Sequence, residues 1–216
     1  YNRVKNQYYT DLTNLSNLLT ENADTTIVDL FKHRVTCSNL ENKQFNYQYG
    51  YAVNSEELKT GRVLDNKQKR TDFSWFSSLD YNFKNFYIRT AFRYVYSNSN
   101  EDKLTPAINL KLNFGKTYLR CSYAHGFRTP SLKEMYLNFV DVNHNIQGNP
   151  NLNSEYSKNA QIHVTSKAIK NVDFNVKLFY TRINNFITLL QSNNSANFSY
   201  VNIGDYKNIG SGFGLK

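Results

Sequence analysis

Along most of this chain the side chains alternate between apolar and polar, residue by residue, and a period of two restricts such a sequence to β structure. From Gln44 to Val53 the odd positions are Phe45, Tyr47, Tyr49, Tyr51 and Val53, against Gln44, Asn46, Gln48, Gly50 and Ala52. Phe73, Trp75, Leu79, Tyr81 and Phe83 likewise share a face opposite Ser74, Ser78, Asp80 and Asn82. The same rhythm sets Ile108, Leu110, Leu112 and Phe114 against Asn109, Lys111 and Asn113, and Val172, Phe174, Val176, Leu178 and Tyr180 against Asp173, Asn175 and Lys177. Only Thr26 to Cys37 breaks step: its apolar face switches midway, which points to a bulge. The pattern predicts about ten strands, at 1–10, 26–37, 44–54, 71–83, 86–97, 104–114, 117–128, 155–167, 172–184 and 197–216.

A soluble sandwich alternates too, with its polar face in water. Loop rhythm separates the two cases. Short turns near Lys84–Asn85, Gly115–Lys116 and Ala168–Asn171 take turns with long connections at Asn54–Lys69, Ser97–Lys103, Thr129–Ser154 and Asn184–Ala196. A transmembrane barrel has that rhythm, with tight turns at one end and extended loops at the other. The expected strands, about 10–13 residues long, suit the ~9–11 needed to cross a bilayer on a tilt. Aromatic residues (17 Tyr and 15 Phe) gather at strand ends, as at Phe83, Phe86, Phe114 and Tyr118, where an interfacial girdle would sit. So rich an aromatic content argues against disorder. The fold class read here is all-β, an antiparallel transmembrane β-barrel.

Several function classes drop out. The net charge of +9 raises nucleic acid as a partner, but the basic residues are spread through strand positions and loop tips, and no nucleic-acid-binding motif appears. Cys37 and Cys121 lie far apart in separate strands, without metal or redox spacing, and read as free thiols. No nucleophile elbow, phosphate-cradling glycine loop or paired carboxylates are present, so no catalytic residues, metal site or cofactor are assigned and the chain is not read as an enzyme. Tyr1 already lies in a strand-like run, so the chain reads as an internal fragment.

The richest segment runs from Ser122 to Ser157. It holds an aromatic-Arg-x-Pro box, Phe127-Arg128-Thr129-Pro130, and an Asn-Pro-Asn-Leu box, Asn149-Pro150-Asn151-Leu152. Strand-like alternation precedes the first box (Leu119, Cys121 and Tyr123 outward; Arg120 and Ser122 inward) and follows the second (Ala160, Ile162 and Val164 outward; Gln161, His163 and Thr165 inward). Pro130 denies a ladder donor, and Gly148-Asn149-Pro150 is a turn signal because glycine tolerates positive φ and Asn caps its own backbone. Two boxes so arranged, with Ser131-Leu132-Lys133-Glu134-Met135-Tyr136 after the first, resemble the barrel of TonB-dependent outer-membrane receptors. The likeness extends from about Phe45 to Lys216.

That resemblance implies an outer-membrane receptor that binds a scarce nutrient (an iron complex, haem or cobalamin) on its extracellular loops and imports it with TonB-coupled energy. It implies residues 1–216 as part of a barrel of about 22 strands, with the N-terminal plug and both barrel ends missing. Partners would be outer-membrane lipid, small-molecule cargo, and TonB with its inner-membrane energising proteins, reached through the plug. The competing class is a passive porin-like or adhesive barrel without a plug. The motif residues Phe127, Arg128, Pro130, Glu134, Asn149, Pro150 and Leu152 either shape the loop base or meet cargo. Haem-uptake members resemble this arrangement in carrying a histidine between the boxes, which makes His144 a candidate haem ligand, with Tyr136 a weaker one. Against it stands the plain reading of a loop histidine bonded to its neighbours. His125 projects outward by alternation. Inward-facing Arg89, Arg93, Lys111, Arg120 and Lys177 give a basic lumen that either attracts anionic cargo or pairs with acids of the plug.

Overall fold

The computed structural model describes residues 2–9, 23–39, 44–98, 103–140, 145–169, 172–191 and 197–215. Ten long strands follow one another as an antiparallel meander: β1 (Asn2–Tyr9), β2 (Ala23–Ser38), β3 (Phe45–Lys59), β4 (Lys67–Phe83), β5 (Phe86–Ser97), β6 (Lys103–Phe114), β7 (Thr117–Arg128), β10 (Glu155–Ser166), β11 (Phe174–Gln191) and β12 (Asn197–Leu215). Between β7 and β10 fall a one-turn helix, α1 (Leu132–Tyr136), and two short strands, β8 (Phe139–Val140) and β9 (Asn145–Gln147). β9 lies parallel to the start of β12 and β8 pairs with β9, so the sheet runs β1-β2-β3-β4-β5-β6-β7-β10-β11-β12-β9-β8. No described helix is long and apolar enough to cross a membrane, which leaves crossing by strands untouched.

Register converts the alternation into two faces. Cross-strand rows such as Gln48↔Ser78↔Ala91↔Ala107 and Asn46↔Asp80↔Arg89↔Asn109 line one face with polar and small side chains. The opposite face carries the large apolar residues, and they are bare: Trp75 is 63% exposed, Tyr49 54%, Phe92 52%, Leu79 47% and Phe45 42%. A soluble sheet turns that face onto a core. Here, among the described residues, the buried apolar side chains other than Ala52 fall into two small clusters, and both lie at the loop end. None of the expected outward residues is buried: Phe45, Tyr49, Trp75 and Leu79 are exposed, while Val53, Leu110 and Val176 are half-buried.

Three expectations need correction. Thr26 to Cys37 holds no bulge, since β2 and β3 pair without interruption from Ile27↔Lys59 to Ser38↔Gln48. Val28 turns inward because an apolar cluster of Leu58, Val63 and Leu132 covers it there, with Leu30 packed alongside. The described residues of the segments Asn54–Lys69 and Asn184–Ala196 are mostly strand: β3 runs to Lys59 and β4 starts at Lys67, while β11 runs to Gln191, with 192–196 outside the described residues. β3, β4, β11 and β12 accordingly reach 15, 17, 18 and 19 residues, longer than the expected span. Once both faces of a hairpin meet solvent, strand pairing continues without any apolar alternation to announce it. Finally, Tyr118 pairs with Asn113 on the inward face, under the Lys111 ammonium 5.2 Å from its ring centre, and so does not join an outer girdle with Phe114.

The turn end is tight. Lys84 (φ 46°) and Gly115 (φ 68°) supply the positive φ that two-residue hairpins need. The segment 11–19, where the leucine spacing points to helical turns, lies outside the described residues.

Candidate functional site

Arg128, the last residue of β7, faces Glu155, the first of β10, in the strand register. Its guanidinium forks onto that carboxylate, Nε to Oε2 and Nη2 to Oε1, both at 2.8 Å. The third nitrogen, Nη1, donates to Glu134 on α1 at 2.9 and 3.1 Å. One arginine thus joins the two strands that enter and leave the loop to the helix lying between them. Glu155 is 8% exposed, and its Oε1 also accepts the backbone N–H of Ile187 in β11 at 2.8 Å. The fork geometry suits guanidinium, and a lysine there would serve fewer acceptors.

Glu134 has a second task. Its carboxylate accepts the Ser131 N–H at 2.7 Å while the Ser131 hydroxyl accepts the Glu134 N–H at 3.2 Å, a complete capping box that starts α1. Burial pushes the Glu134 carboxyl up, but bonding from Arg128 and Ser131 outweighs it and holds the group below the usual carboxylate range. Pro130 is buried, and its carbonyl accepts from Arg70. Arg70 also binds Glu56 at 3.0 Å and Asp72 at 3.3 Å, a second ion cluster beside the first box. Burial raises the Glu56 carboxyl above the usual range despite the nearby Arg70 charge.

The helix sits between the two apolar clusters. Leu132, 1% exposed, packs with Val28, Leu58 and Val63 of the β2–β4 side. Met135 packs with Leu152 of the second box and Ile187 of β11. Tyr136 touches both clusters. In the sheet order β4 and β11 are five steps apart, about 24 Å if the sheet were flat, while a five-residue helix is about 7.5 Å long. The wall must therefore curve round to meet α1 from both sides.

The second box is held from three directions. Asn149 donates its N–H to the Glu134 carbonyl at 2.9 Å and its Nδ2 to the Tyr200 carbonyl at 2.9 Å, while its Oδ1 accepts the Asn151 N–H at 2.9 Å. That last bond is the expected cap of its own backbone. The reason for Gly148 differs from expectation: its φ is not positive, and glycine is required because a Cβ would lie 2.8 Å from both the Met135 carbonyl and the Tyr136 nitrogen. Leu152 is buried and Pro150 is exposed at the turn. Phe127 faces outward, its ring 5.4 Å from that of Tyr156, and takes no part in this network.

The lumen cations do not act as one group. Arg89 is bound by Asp80 of the neighbouring strand at 2.6 and 2.5 Å. Arg93 donates to the Ser74 hydroxyl at 2.9 Å, and Lys177 lies 5.7 Å from the Phe179 ring centre. Lys111 and Arg120 pair in register and, with Tyr87 and His163, line an inward cleft of about 250 Å³. Arg120 has no hydrogen-bond or ionic partner among the described residues. His125 bonds the Tyr123 hydroxyl at 3.0 Å on the outward face, where alternation puts it. His144 lies outside the described residues, and Tyr136 is occupied by packing. Among the described residues no His, Cys, Asp and Glu cluster has metal-binding geometry. Ser131, Arg70 and Glu155 escaped the sequence reading, as did Asn202 of β12, whose Oδ1 accepts the Asn153 N–H at 2.8 Å and whose Nδ2 donates to the Asn153 and Asn185 carbonyls at 3.0 and 2.7 Å. The Ser131-x-x-Glu134 spacing was the one signal that reveals part of this network.

The family described as TonB dependent receptor-like, beta-barrel, matches residues 1–211. This chain belongs to that family. Receptors of this family are transporters and not enzymes, and what they bind is cargo, with no resident cofactor. Among solved structures, the TonB-family barrel wall seen here is similar to the siderophore receptor PirA from Pseudomonas aeruginosa, with a TM-score of 0.73 at 14% identity, over 89% of this chain and 40% of that one. The hemophore receptor HasR of Serratia marcescens, solved with its hemophore HasA and heme, gives a TM-score of 0.73 at 15% identity, with 89% of this chain and 40% of HasR covered. The FrpB iron transporter from Neisseria meningitidis gives 0.68 at 15% identity, covering 91% of this chain and 34% of FrpB. The chain spans 40% or less of the length of these structures. Curated proteins give no match.

Proposed function

We propose that this chain is part of the wall of an outer-membrane receptor that takes up a scarce nutrient (an iron complex, haem or cobalamin) with energy delivered by TonB. In this reading residues 1–216 form part of a larger barrel of about 22 strands, whose plug and remaining strands lie outside the sequence described. The long loops face the exterior and meet cargo, while the tight turns face the periplasm. The observation that carries the reading is a family barrel wall whose apolar residues are bare on one side and whose other side is polar and basic. Siderophores and haem are the cargo named for similar structures, and both present anionic groups that suit the Lys111–Arg120 surface.

Growth separates this from a passive or adhesive barrel. A strain lacking the full-length receptor should lose growth on one of haem, a ferric siderophore or cobalamin offered as sole source. Undiminished growth on all three, with a plug-free pore conducting in planar bilayers, would overturn the proposal. His144 is proposed as a ligand should the cargo be haem. His144→Ala in the full-length receptor should then weaken haem binding and shift its Soret band, and an unchanged band removes His144 from that role.

A further inference from the structure

Sequence scatter concealed a cluster. On the outward face of the loop ends of β1 to β4, register builds two rows, Arg3↔Asp29↔Glu57↔Lys69 and, one pair higher, Lys5↔Ile27↔Lys59↔Lys67. Five cations and two carboxylates therefore occupy one small area of the outer wall. Each carboxylate is shared. Asp29 takes Arg3 at 2.6 Å and Lys59 at 3.6 Å, while Glu57 takes Lys59 and, at 3.0 Å, Lys67. The bonds from Lys59 and Lys67 hold the Glu57 carboxyl below its usual range, so it stays ionised. Three positive charges remain uncompensated, and Lys5 and Lys69 are exposed with no ion pair among the described residues. Glu56 and Asp72, also at these strand ends, lie on the inward face, where Arg70 binds them.

Height fixes what this belt meets. On β3 the outward residues run Tyr49, Tyr51, Val53, Ser55, Glu57, Lys59, and on β4 the same face descends through Lys69 and Thr71 to Phe73 and Trp75. Four residues from Val53 to Glu57 cover ~13 Å of strand, or ~9 Å of height at a tilt of about 45°. The head-group layer above the hydrocarbon is about 5–8 Å deep. The lower row therefore lies at the upper edge of the phosphates bordering the apolar band, with flexible lysines able to reach down from both rows.

We propose that the belt binds the phosphate groups of an anionic lipid in the outer leaflet of the membrane, with Lys59, Lys67 and Lys69 as its principal donors. Arg3 is spent on Asp29, and the two carboxylates hold neighbouring ammonium groups side by side against their mutual repulsion. Lysine gives each phosphate a point charge with rotatable donors, which suits a head group of variable orientation. The inference rests on the chain being a membrane wall, and the test keeps the two apart.

The full-length receptor, purified in detergent, is incubated with bisphosphorylated lipid A or its dephosphorylated form, and native mass spectrometry counts the retained lipid. Bisphosphorylated lipid should be retained, and Lys59→Gln/Lys67→Gln/Lys69→Gln should lower retention at least about tenfold at low salt. Replacing the same three lysines with arginine should restore it. Equal retention of both lipids, or by the glutamine variant with its heat-modifiable barrel band intact, overturns the inference. So does full competition by millimolar inorganic phosphate, which would make the ligand a dissolved anion. A receptor that stays monodisperse without detergent would instead overturn the membrane-wall reading itself.

Discussion

Arg128 answers two carboxylates on two elements, so its replacement is not the loss of a single surface pair. Arg128→Gln leaves Glu155, 8% exposed, facing the Ile187 N–H without its cation. The expected cost is about 2 kcal/mol, that of losing hydrogen bonds to a charged group in a partly exposed setting. It should appear as faster hydrogen exchange in 129–155 with little change in the distant hairpin at 84–85, and uniform exchange across both would refute it. Glu134 gives this region a pH response. Its folded pKa lies below the unfolded value of about 4.3. The stabilisation is therefore complete above that unfolded value and fades as pH falls through the lower folded one. Exchange protection of the Ser131 and Glu134 amides should hold from neutral pH down to about 5 and decline below 4, while Glu134→Gln should flatten that profile.

Among elements, the ten long strands and the turns at 84–85 and 115–116 were legible because alternation is local and the turn residues have positive φ. Their ends were not. Nothing in the pattern distinguishes a polar hairpin projecting past the apolar band from an open loop, and 54–69 shows the result. The inward turn of Val28 was hidden for another reason, since its cover is Leu132, 104 positions along the chain. The loop-base motif was visible as two boxes, but the partners of Arg128 and Asn149 are set by register and folding-back and have no spacing to read. The close approach of β9's exit to α1 supplies a direct check. Gly148→Ala places a methyl group against the Met135 carbonyl and the Tyr136 nitrogen, so it should loosen α1 and expose Met135 and Leu152. Limited proteolysis should then cut within 129–154 in the variant first, and an unchanged digest would show that the backbone yields at no cost.

At the scale of the whole molecule, one wall presents two unlike faces, and neighbouring residues point to opposite sides of it. Leu79 is 47% exposed on the bare face, and its neighbour Ser78 lies on the other. Leu79→Lys in the full-length receptor should cost about 2–4 kcal/mol when folding into lipid vesicles is measured against denaturant, and Ser78→Lys about 0–1. Equal costs would contradict the assignment of faces. Membership of the barrel family was readable from two boxes and a rhythm, whereas the outward belt of charges required the register of four strands. The small helix at the mouth has a further consequence. Because its two sides rest on separate dry patches, one from the early strands and one from the late, it cannot swing aside by degrees. Releasing one patch leaves Tyr136 held by the other, so the helix should leave its seat only when both let go, a cooperative and rare event, and not as a hinge that drifts.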